Sequence, residues 1–218
     1  MHLHAWVDWL TGQGWRDLAQ AVLMGTTASW IALIFHELGH ALAAWVVRVR
    51  MWGIRLGTGP TIWQGRVGAC RVHLAALPFI GAVHLLDEDA SAIGYRDIAR
   101  GSWRFEWGPR AWRAPIISVA GGLGNLLGLL LAIHWWQVVG QPSLGTPAGD
   151  LFLFTMAANF AGYLNLLPCF RSDGIHLLAH ARAARLSWAT AATAADPSRP
   201  ERRRPPGNPG RPSCCLFW

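Results

Sequence analysis

One long apolar stretch constrains this chain more than any other feature. From Ala21 to Val47 the only ionisable side chains are His36, Glu37 and His40. About 20 apolar residues are enough for a helix to cross the hydrocarbon core of a bilayer. Ionisable groups are costly at that depth and usually serve a function there. The stretch therefore predicts a membrane helix that carries a functional site.

The composition agrees with a membrane protein. Of the 218 residues, 52% are hydrophobic and 14% are charged, whereas soluble domains usually have about 25% charged residues. All 19 basic residues are Arg, and the net charge is +7. Such a balance can indicate nucleic-acid binding. Here the Arg residues lie between the apolar runs, so we expect them to flank membrane helices and expect no nucleic-acid partner.

Two further apolar runs predict two more membrane segments. The three predicted spans are about 21–47, 115–139 and 151–180. Because Pro168 ends a helix and Gly174 permits unusual backbone angles, we expect a break in the third span near 168–174. The sequence thus predicts an all-α polytopic membrane protein with a three-helix core, which occupies residues 20–181.

The segments outside the spans have different characters. We expect residues 1–19 to form an interfacial segment, since they are short, mixed and rich in Trp. Residues 48–113 are polar and contain Gly and Pro, which predicts a polar loop with short strands, one of them at 71–77. Residues 182–218 are expected to be a disordered Arg/Pro-rich tail.

The placement of Arg predicts the orientation. The loop 48–113 holds ten Arg, the loop 140–149 holds none, and eight Arg follow Pro168. Cytoplasmic loops carry the excess of basic residues in membrane proteins. We therefore expect the long loop and the C-terminus in the cytoplasm, and the N-terminus outside.

The motif at 36–40 has the chemistry of a zinc site. His-Glu-x-x-His places two imidazoles one helical turn apart on one face, and the Glu can take a proton from water. Neutral imidazole is a good zinc ligand. The alternative is that His36 and His40 only make hydrogen bonds between helices. That alternative gives the buried Glu37 no purpose.

A catalytic zinc usually has three protein ligands, and Asp173 is the candidate for the third. It follows the predicted break, and broken helices are tolerated at membrane depth where they line a cavity. Counted from the centre of each span, His40 and Asp173 lie roughly 9 and 12 Å toward the cytoplasm. The three side chains can therefore share one level.

The motifs resemble those of the site-2 protease family of intramembrane zinc metalloproteases, especially bacterial members that cleave membrane-bound anti-sigma factors. The similar segments follow in the family's order at 36–40, 55–60, 77–83, 117–125 and 165–174. The segments at 55–60 and 77–83 resemble the family's membrane-associated β-hairpin loop, so the resemblance implies a small cytoplasmic β-hairpin or re-entrant loop within 48–113. Gly122 stands where the family usually has Pro, and Arg171 and Ser172 stand before Asp173 where an apolar residue is usual. The ten residues of 140–149 are too few for the PDZ domain that many relatives carry there.

The resemblance implies an activity and a set of roles. The chain would be a zinc metalloendopeptidase with one Zn²⁺, held by His36, His40 and Asp173, and with Glu37 as the base. Asn165 would assist the oxyanion. The substrate would be a single-span membrane protein, such as an anti-sigma factor, in the inner membrane of a bacterium.

Other polar residues in the apolar runs admit two interpretations. Asn125 and His176 either contact the metal ligands or make ordinary helix-helix and interfacial contacts. Asn165 could also make only a helix-helix hydrogen bond, but its spacing to Asp173 favours a place in the site. His180 forms a helical pair with His176, but a second metal site there lacks a carboxylate. We interpret the remaining candidates as interfacial; they are His73, His84 and His134.

Two rival functions belong to other classes. A catalytically inactive homologue would bind membrane helices as a scaffold, and zinc content distinguishes it from an enzyme. A metal transporter would need a polar path across the bilayer, whereas the polar groups of this sequence cluster at one depth.

Overall fold

The computed structural model describes residues 14–86, 88–89, 110–168 and 172–194. These residues are mostly helical, with one small antiparallel hairpin. The elements are α1 (Gly14–Val46), β1 (Met51–Val67), β2 (Cys70–Leu85), α2 (Arg113–Val138), α3 (Pro147–Tyr163), a 3-10 turn (Leu164–Leu166) and α4 (Asp173–Ala194). Helix α1 packs against α2, α3 and the hairpin, and α2 also packs against α3 and α4.

Two of these helices are long and apolar enough to cross a membrane, and they are α1 and α2. Helix α1 has 33 residues and begins at Gly14, upstream of the predicted start of the span. Asp17 lies in its first turn, where a negative charge stabilises a helix. Helix α3 has 17 residues, which is at the lower limit for a membrane span.

Two glycines bring α1 and α2 into backbone contact. A Cβ atom on Gly39 would meet the carbonyl oxygen of Ala120, and one on Gly124 would meet that of Phe35. Small residues at such crossings allow membrane helices to pack closely. The contact holds the 36–40 motif directly against the first half of α2.

The predicted break in the third segment is present but begins earlier. Helix α3 ends at Tyr163, and Leu167 is extended, with φ −71° and ψ 139°. A proline disfavours helical angles in the residue before it, so Pro168 ends helical structure upstream of its own position. Ser172 closes the break, because its hydroxyl donates to the Leu167 carbonyl at 2.6 Å. Arg171 lies outside the described residues.

The hairpin strands are longer than the sequence predicts, with 17 and 16 residues. Gly68 forms the turn with φ 60°, as the first residue of a tight hairpin turn requires. Strand β1 bends at Gly57 and Gly59, whose φ angles are 86° and 85°. Bulges of this kind let a strand change direction, and the sequence gives only the glycines as a signal for them.

The bends divide the hairpin into four paired segments. Residues 61–67 pair with 70–75, and residues 51–56 pair with 81–85, both in antiparallel register. Residues 53–56 also pair with 71–74, and in these pairs both numbers rise together, so these segments run in the same direction. The resulting order across the sheet is 61–67, 70–75, 51–56 and 81–85.

The tail prediction is wrong for residues 182–194, which belong to helix α4. This segment is rich in Ala with Arg and Leu, which are strong helix formers. The prediction for 195–218 lies outside the described residues, as does most of the predicted N-terminal segment, at 1–13.

Candidate metal centre

Three side chains from distant parts of the chain meet at one point. His36 and His40 lie on α1, and Asp173 is the first residue of α4. Their Nε2 and Oδ2 atoms form a nearly equilateral triangle: His36 to His40 is 3.2 Å, His36 to Asp173 is 3.2 Å, and His40 to Asp173 is 3.3 Å. The side chains are 11 to 15% exposed. The structure thus brings together the three ligands that the sequence predicts.

The triangle has the dimensions of a zinc site. Zinc binds His nitrogen and carboxylate oxygen at about 2.0–2.2 Å, and a tetrahedral ion therefore separates its ligand atoms by about 3.3 Å. The observed separations of 3.2–3.3 Å match this value. Three protein ligands leave the fourth position open, as in catalytic zinc sites. The donor set and its spacing therefore fit a zinc ion.

A backbone carbonyl fixes the ring of His40. Its Nδ1 lies 2.6 Å from the carbonyl oxygen of Ile117 on α2. A carbonyl can only accept, so Nδ1 carries the proton and donates, and the lone pair of Nε2 faces the triangle. Metal-ligating histidines usually donate their other ring N–H in this way.

Asn125 takes the corresponding place beside His36. Its side-chain amide lies 2.8 Å from His36 Nδ1, and the residue is 1% exposed. The two ends of an amide are interchangeable in such a placement. With its oxygen toward the ring, Asn125 accepts from His36 Nδ1–H and leaves Nε2 free for a metal. Asn125 thus lies in direct contact with a predicted ligand.

The Glu37 side chain points away from the triangle and toward the hairpin. It is 4% exposed, and its Oε2 atom has no hydrogen-bond partner among the described residues. Gly81 of β2 lies against it, because a Cβ atom there would collide with the carboxylate. A buried carboxylate with an unused oxygen is costly unless it takes part in chemistry.

Asn165 lies in the 3-10 turn beside the triangle. Its amide donates to Asp173 Oδ2 at 3.0 Å and lies 3.4 Å from His36 Nε2. The donor is therefore within reach of a group bound at the open position. This location beside Asp173 and His36 is compatible with the role that the resemblance implies for Asn165.

The other histidines of the described residues do not join the triangle. His176 follows Asp173 by one turn of α4 and is near enough to Asp173 and His40 for electrostatic interaction, but it is not part of the metal-binding group. His180 is 2% exposed on the same helix. In the described part of the chain, the metal-binding group consists of His36, His40 and Asp173.

Two contacts of the site could not be predicted from the sequence. The Ile117 carbonyl belongs to the backbone. Every residue has such a group, so the residue type at 117 does not indicate the contact. Gly81 lies in a segment that resembles the family, but its contact with Glu37 depends on the sheet register. Only the absence of a side chain at 81 hints at a close approach.

Comparisons with known proteins agree with this geometry. The model of peptidase family M50 matches residues 25–144, more than half of the chain. Three relatives are provisionally named zinc metalloproteases. The protein from Chlamydia pneumoniae is 28% identical over 118 residues (50% of this chain, 18% of the relative). That from Chlamydia trachomatis serovar D is 27% identical over 168 residues (65% and 26%). That from Treponema pallidum is 32% identical over 69 residues (32% and 15%). The chain spans about a quarter or less of the length of these relatives.

Proposed function

This chain belongs to peptidase family M50, the site-2 protease family, and from that premise we propose that it is a zinc metalloendopeptidase acting within the membrane. The observation that carries the proposal is the triangle of His36, His40 and Asp173 with sides of 3.2–3.3 Å. It lies beside a buried carboxylate on apolar helix α1. Membership of the family and the names of the relatives support a metalloprotease, and the two long apolar helices support a membrane protein.

A zinc ion bound by His36, His40 and Asp173 would polarise the substrate carbonyl and lower the pKa of a water molecule. Each chain would hold one such ion. The Ile117 carbonyl and Asn125 keep the two imidazoles in the orientation that binding requires. Their contacts are 2.6 and 2.8 Å long.

Glu37 is the proposed general base. It takes a proton from the attacking water and returns it to the amine that leaves. Its position one residue after His36 keeps the carboxylate next to the ligands, and its free Oε2 can accept the proton. The amide of Asn165 donates a hydrogen bond to the oxygen that becomes negative during the attack.

The proposed substrate is a single-span membrane protein, such as an anti-sigma factor or a similar signalling protein. A helical substrate must unwind, because its carbonyls are engaged in its own hydrogen bonds. Residues 81–85 form an edge of the sheet, since among the described residues they pair only with β1. An unwound segment can add to this edge as a further strand, and Gly81 there touches Glu37.

The proposed location is the inner membrane of a bacterium, with several membrane segments. The N-terminus lies outside, and the hairpin and C-terminus lie in the cytoplasm. The metal centre then lies in the cytoplasmic half of the bilayer, since His36 and His40 occupy the second half of α1.

Glu37→Gln tests the proposal. We expect cleavage of a model single-span substrate to fall at least about 100-fold, the contribution of a general base, while zinc remains bound. Glu88→Gln is the matched control, because Glu88 is exposed and pairs with Arg50. If Glu37→Gln cleaved the substrate at the wild-type rate, the mechanism would be excluded. Substrate binding without cleavage by the zinc-loaded wild type would favour the scaffold.

A further inference from the structure

The hairpin carries positive charge without any acid to balance it. Residues 51–85 contain three Arg and two His but no Asp or Glu. All three guanidinium groups are on exposed residues. This is unusual for an antiparallel sheet, where opposite charges commonly face each other across strands.

The register collects these side chains on one face of the sheet. Arg66 lies directly opposite Arg71, and Gln64 lies directly opposite His73. Because side chains alternate between faces with a period of two, these four share one face. Arg55 pairs with His73 from the next segment and joins them. We call these five residues the basic face.

A cavity lies on the basic face. It has a volume of about 320 Å³ and is lined by Gln64, Gly65, Arg66, Arg71 and His73. Its polar groups are therefore two guanidiniums, an imidazole and an amide. This set of donors suits an anion with several oxygens, above all a phosphate.

Like charges directly opposite each other destabilise a sheet, and within the described residues no carboxylate lies in ion-pair contact with Arg66 or Arg71. Arg55 differs, because it donates to the carbonyls of Gly57 and Gly59 at 3.3 and 3.4 Å. The positive field extends across the sheet: burial, His73 and Arg55 lower the pKa of His84. A bound anion would relieve the repulsion.

The register also sets the depth of the basic face. Met51 and Leu85 pack against the hydrophobic cluster at the C-terminal end of α1, and Arg71 pairs with Gly53 nearby. The bend at Gly57 lies much further along α1, against Trp30. The basic face therefore lies near the end of an apolar helix, where the phosphates of a bilayer begin.

Exposed apolar side chains lie on the same hairpin arm as the basic face. Ile62 shares that face, whereas Trp63 and Val67 lie on the opposite face of the arm. Ile62 is 62% exposed, Trp63 is 53% exposed and Val67 is 70% exposed. Trp and Arg together are typical of segments that lie at a membrane surface. An acidic peptide bound to the basic face would leave these apolar groups in water, whereas an arm that lies at the surface of a bilayer can bury them among the lipids.

We propose that the basic face binds the phosphate of an anionic phospholipid in the leaflet at the C-terminal end of α1. Arg66 and Arg71 contact the phosphate oxygens, His73 and Gln64 complete the cavity, and the exposed Ile62 on the same face lies toward the apolar part of the lipid. This site is separate from the metal centre, and the inference does not rest on the proteolytic activity.

The test measures lipid binding to the full chain. Delipidated protein in a neutral detergent is titrated with phosphatidylglycerol or phosphatidylcholine, and bound lipid is counted by native mass spectrometry. We expect Arg66→Gln/Arg71→Gln to weaken phosphatidylglycerol binding about tenfold or more, given the contribution of each Arg at an anionic surface. Arg66→Lys/Arg71→Lys keeps the charge and should keep most of the binding.

Arg182→Gln/Arg185→Gln is the matched control, since it removes the same charge from exposed positions of α4. It should change phosphatidylglycerol binding less than about twofold. The proposal is overturned if Arg66→Gln/Arg71→Gln binds phosphatidylglycerol as the wild type does, or if the control loses as much. It is also overturned if a hexaglutamate peptide binds the basic face in preference to the lipid.

Discussion

Gly81 of the hairpin lies directly against the carboxylate of Glu37 in α1. A strand and a membrane helix thereby meet at the residue proposed as the base. The contact connects the sheet register to the chemistry, because a shift of β2 by one residue would replace Gly81 with a side chain. The position of the hairpin therefore affects the geometry of the proposed active site.

Gly81→Ala should reduce cleavage without removing zinc. The added methyl group collides with the Glu37 carboxylate, and a displacement of about 1 Å at a reacting group can cost about 100-fold in rate. The measurement is kcat/KM on a model substrate together with zinc content. Gly53→Ala in the same hairpin is the control, since the atom nearest to its methyl group is the Arg71 carbonyl oxygen at 3.3 Å. Equal activity of the two variants would remove Gly81 from the site.

Asn125→Ala should weaken zinc binding by about 10- to 100-fold, which is typical for partners of metal-ligating histidines. The variant removes the amide that holds His36 at 2.8 Å. A competition titration with a chelator of known affinity measures the effect.

Asn159→Ala is a close control for Asn125→Ala. Asn159 is 0% exposed and lies against Gly128, as Asn125 lies against Gly162, but it does not touch His36. Both variants should lose stability, and only Asn125→Ala should lose zinc affinity. Equal zinc affinities would show that Asn125 serves packing alone.

Asp89 should make the base of the hairpin sensitive to acid. It accepts the backbone N–H of Arg50 at 2.9 Å and also contacts the Arg50 and Arg110 side chains. These contacts hold the pKa of Asp89 below its ordinary value of 3.8, with the backbone hydrogen bond as the largest cause. A depressed pKa means that the stabilisation is present above pH 3.8 and is lost as the pH falls through the folded-state value.

Asp89→Asn therefore tests this ion-pair cluster. It should lower the free energy of unfolding at pH 7 by about 1–3 kcal/mol, the usual contribution of hydrogen bonds to charged groups. It should also flatten the loss of stability as the pH falls below about 3.8, the ordinary pKa of an Asp. Thermal unfolding in detergent across this range measures both effects. If Asp89→Asn lost stability at acidic pH as steeply as the wild type does, the acid sensitivity would come from other carboxylates.

The two long apolar helices could be predicted from the sequence because their signal is local. The runs of apolar residues predict most of the ends of α1 and α2 to within a few residues, and Pro168 predicts the break. The paired segments of the hairpin could not be predicted. Their order depends on long-range register and on the bends at Gly57 and Gly59, and no periodic pattern of residues encodes either.

The metal-binding group could be predicted because its ligands belong to few residue types at restricted spacings. His36 and His40 are one turn apart, and Asp173 follows the predicted break in the third apolar run. The carbonyl of Ile117 and the close approach of Gly81 could not, since both act through the backbone. Asn125 was open to two interpretations, and the 2.8 Å contact with His36 favours a place beside the ligand.

The central claim is that His36, His40 and Asp173 together bind one zinc ion, and metal analysis of the purified chain tests it most directly. Zinc is measured per chain after dialysis against a weak chelator, in the wild type, in Asp173→Asn and in the control Asp150→Asn. Asp150 accepts hydrogen bonds from Gln20 and Gly145 and is remote from the site. We predict about one zinc per chain for the wild type and the control, the stoichiometry of a single three-ligand site, and much less for Asp173→Asn. A wild type without zinc, or an Asp173→Asn variant that keeps it fully, would contradict the claim.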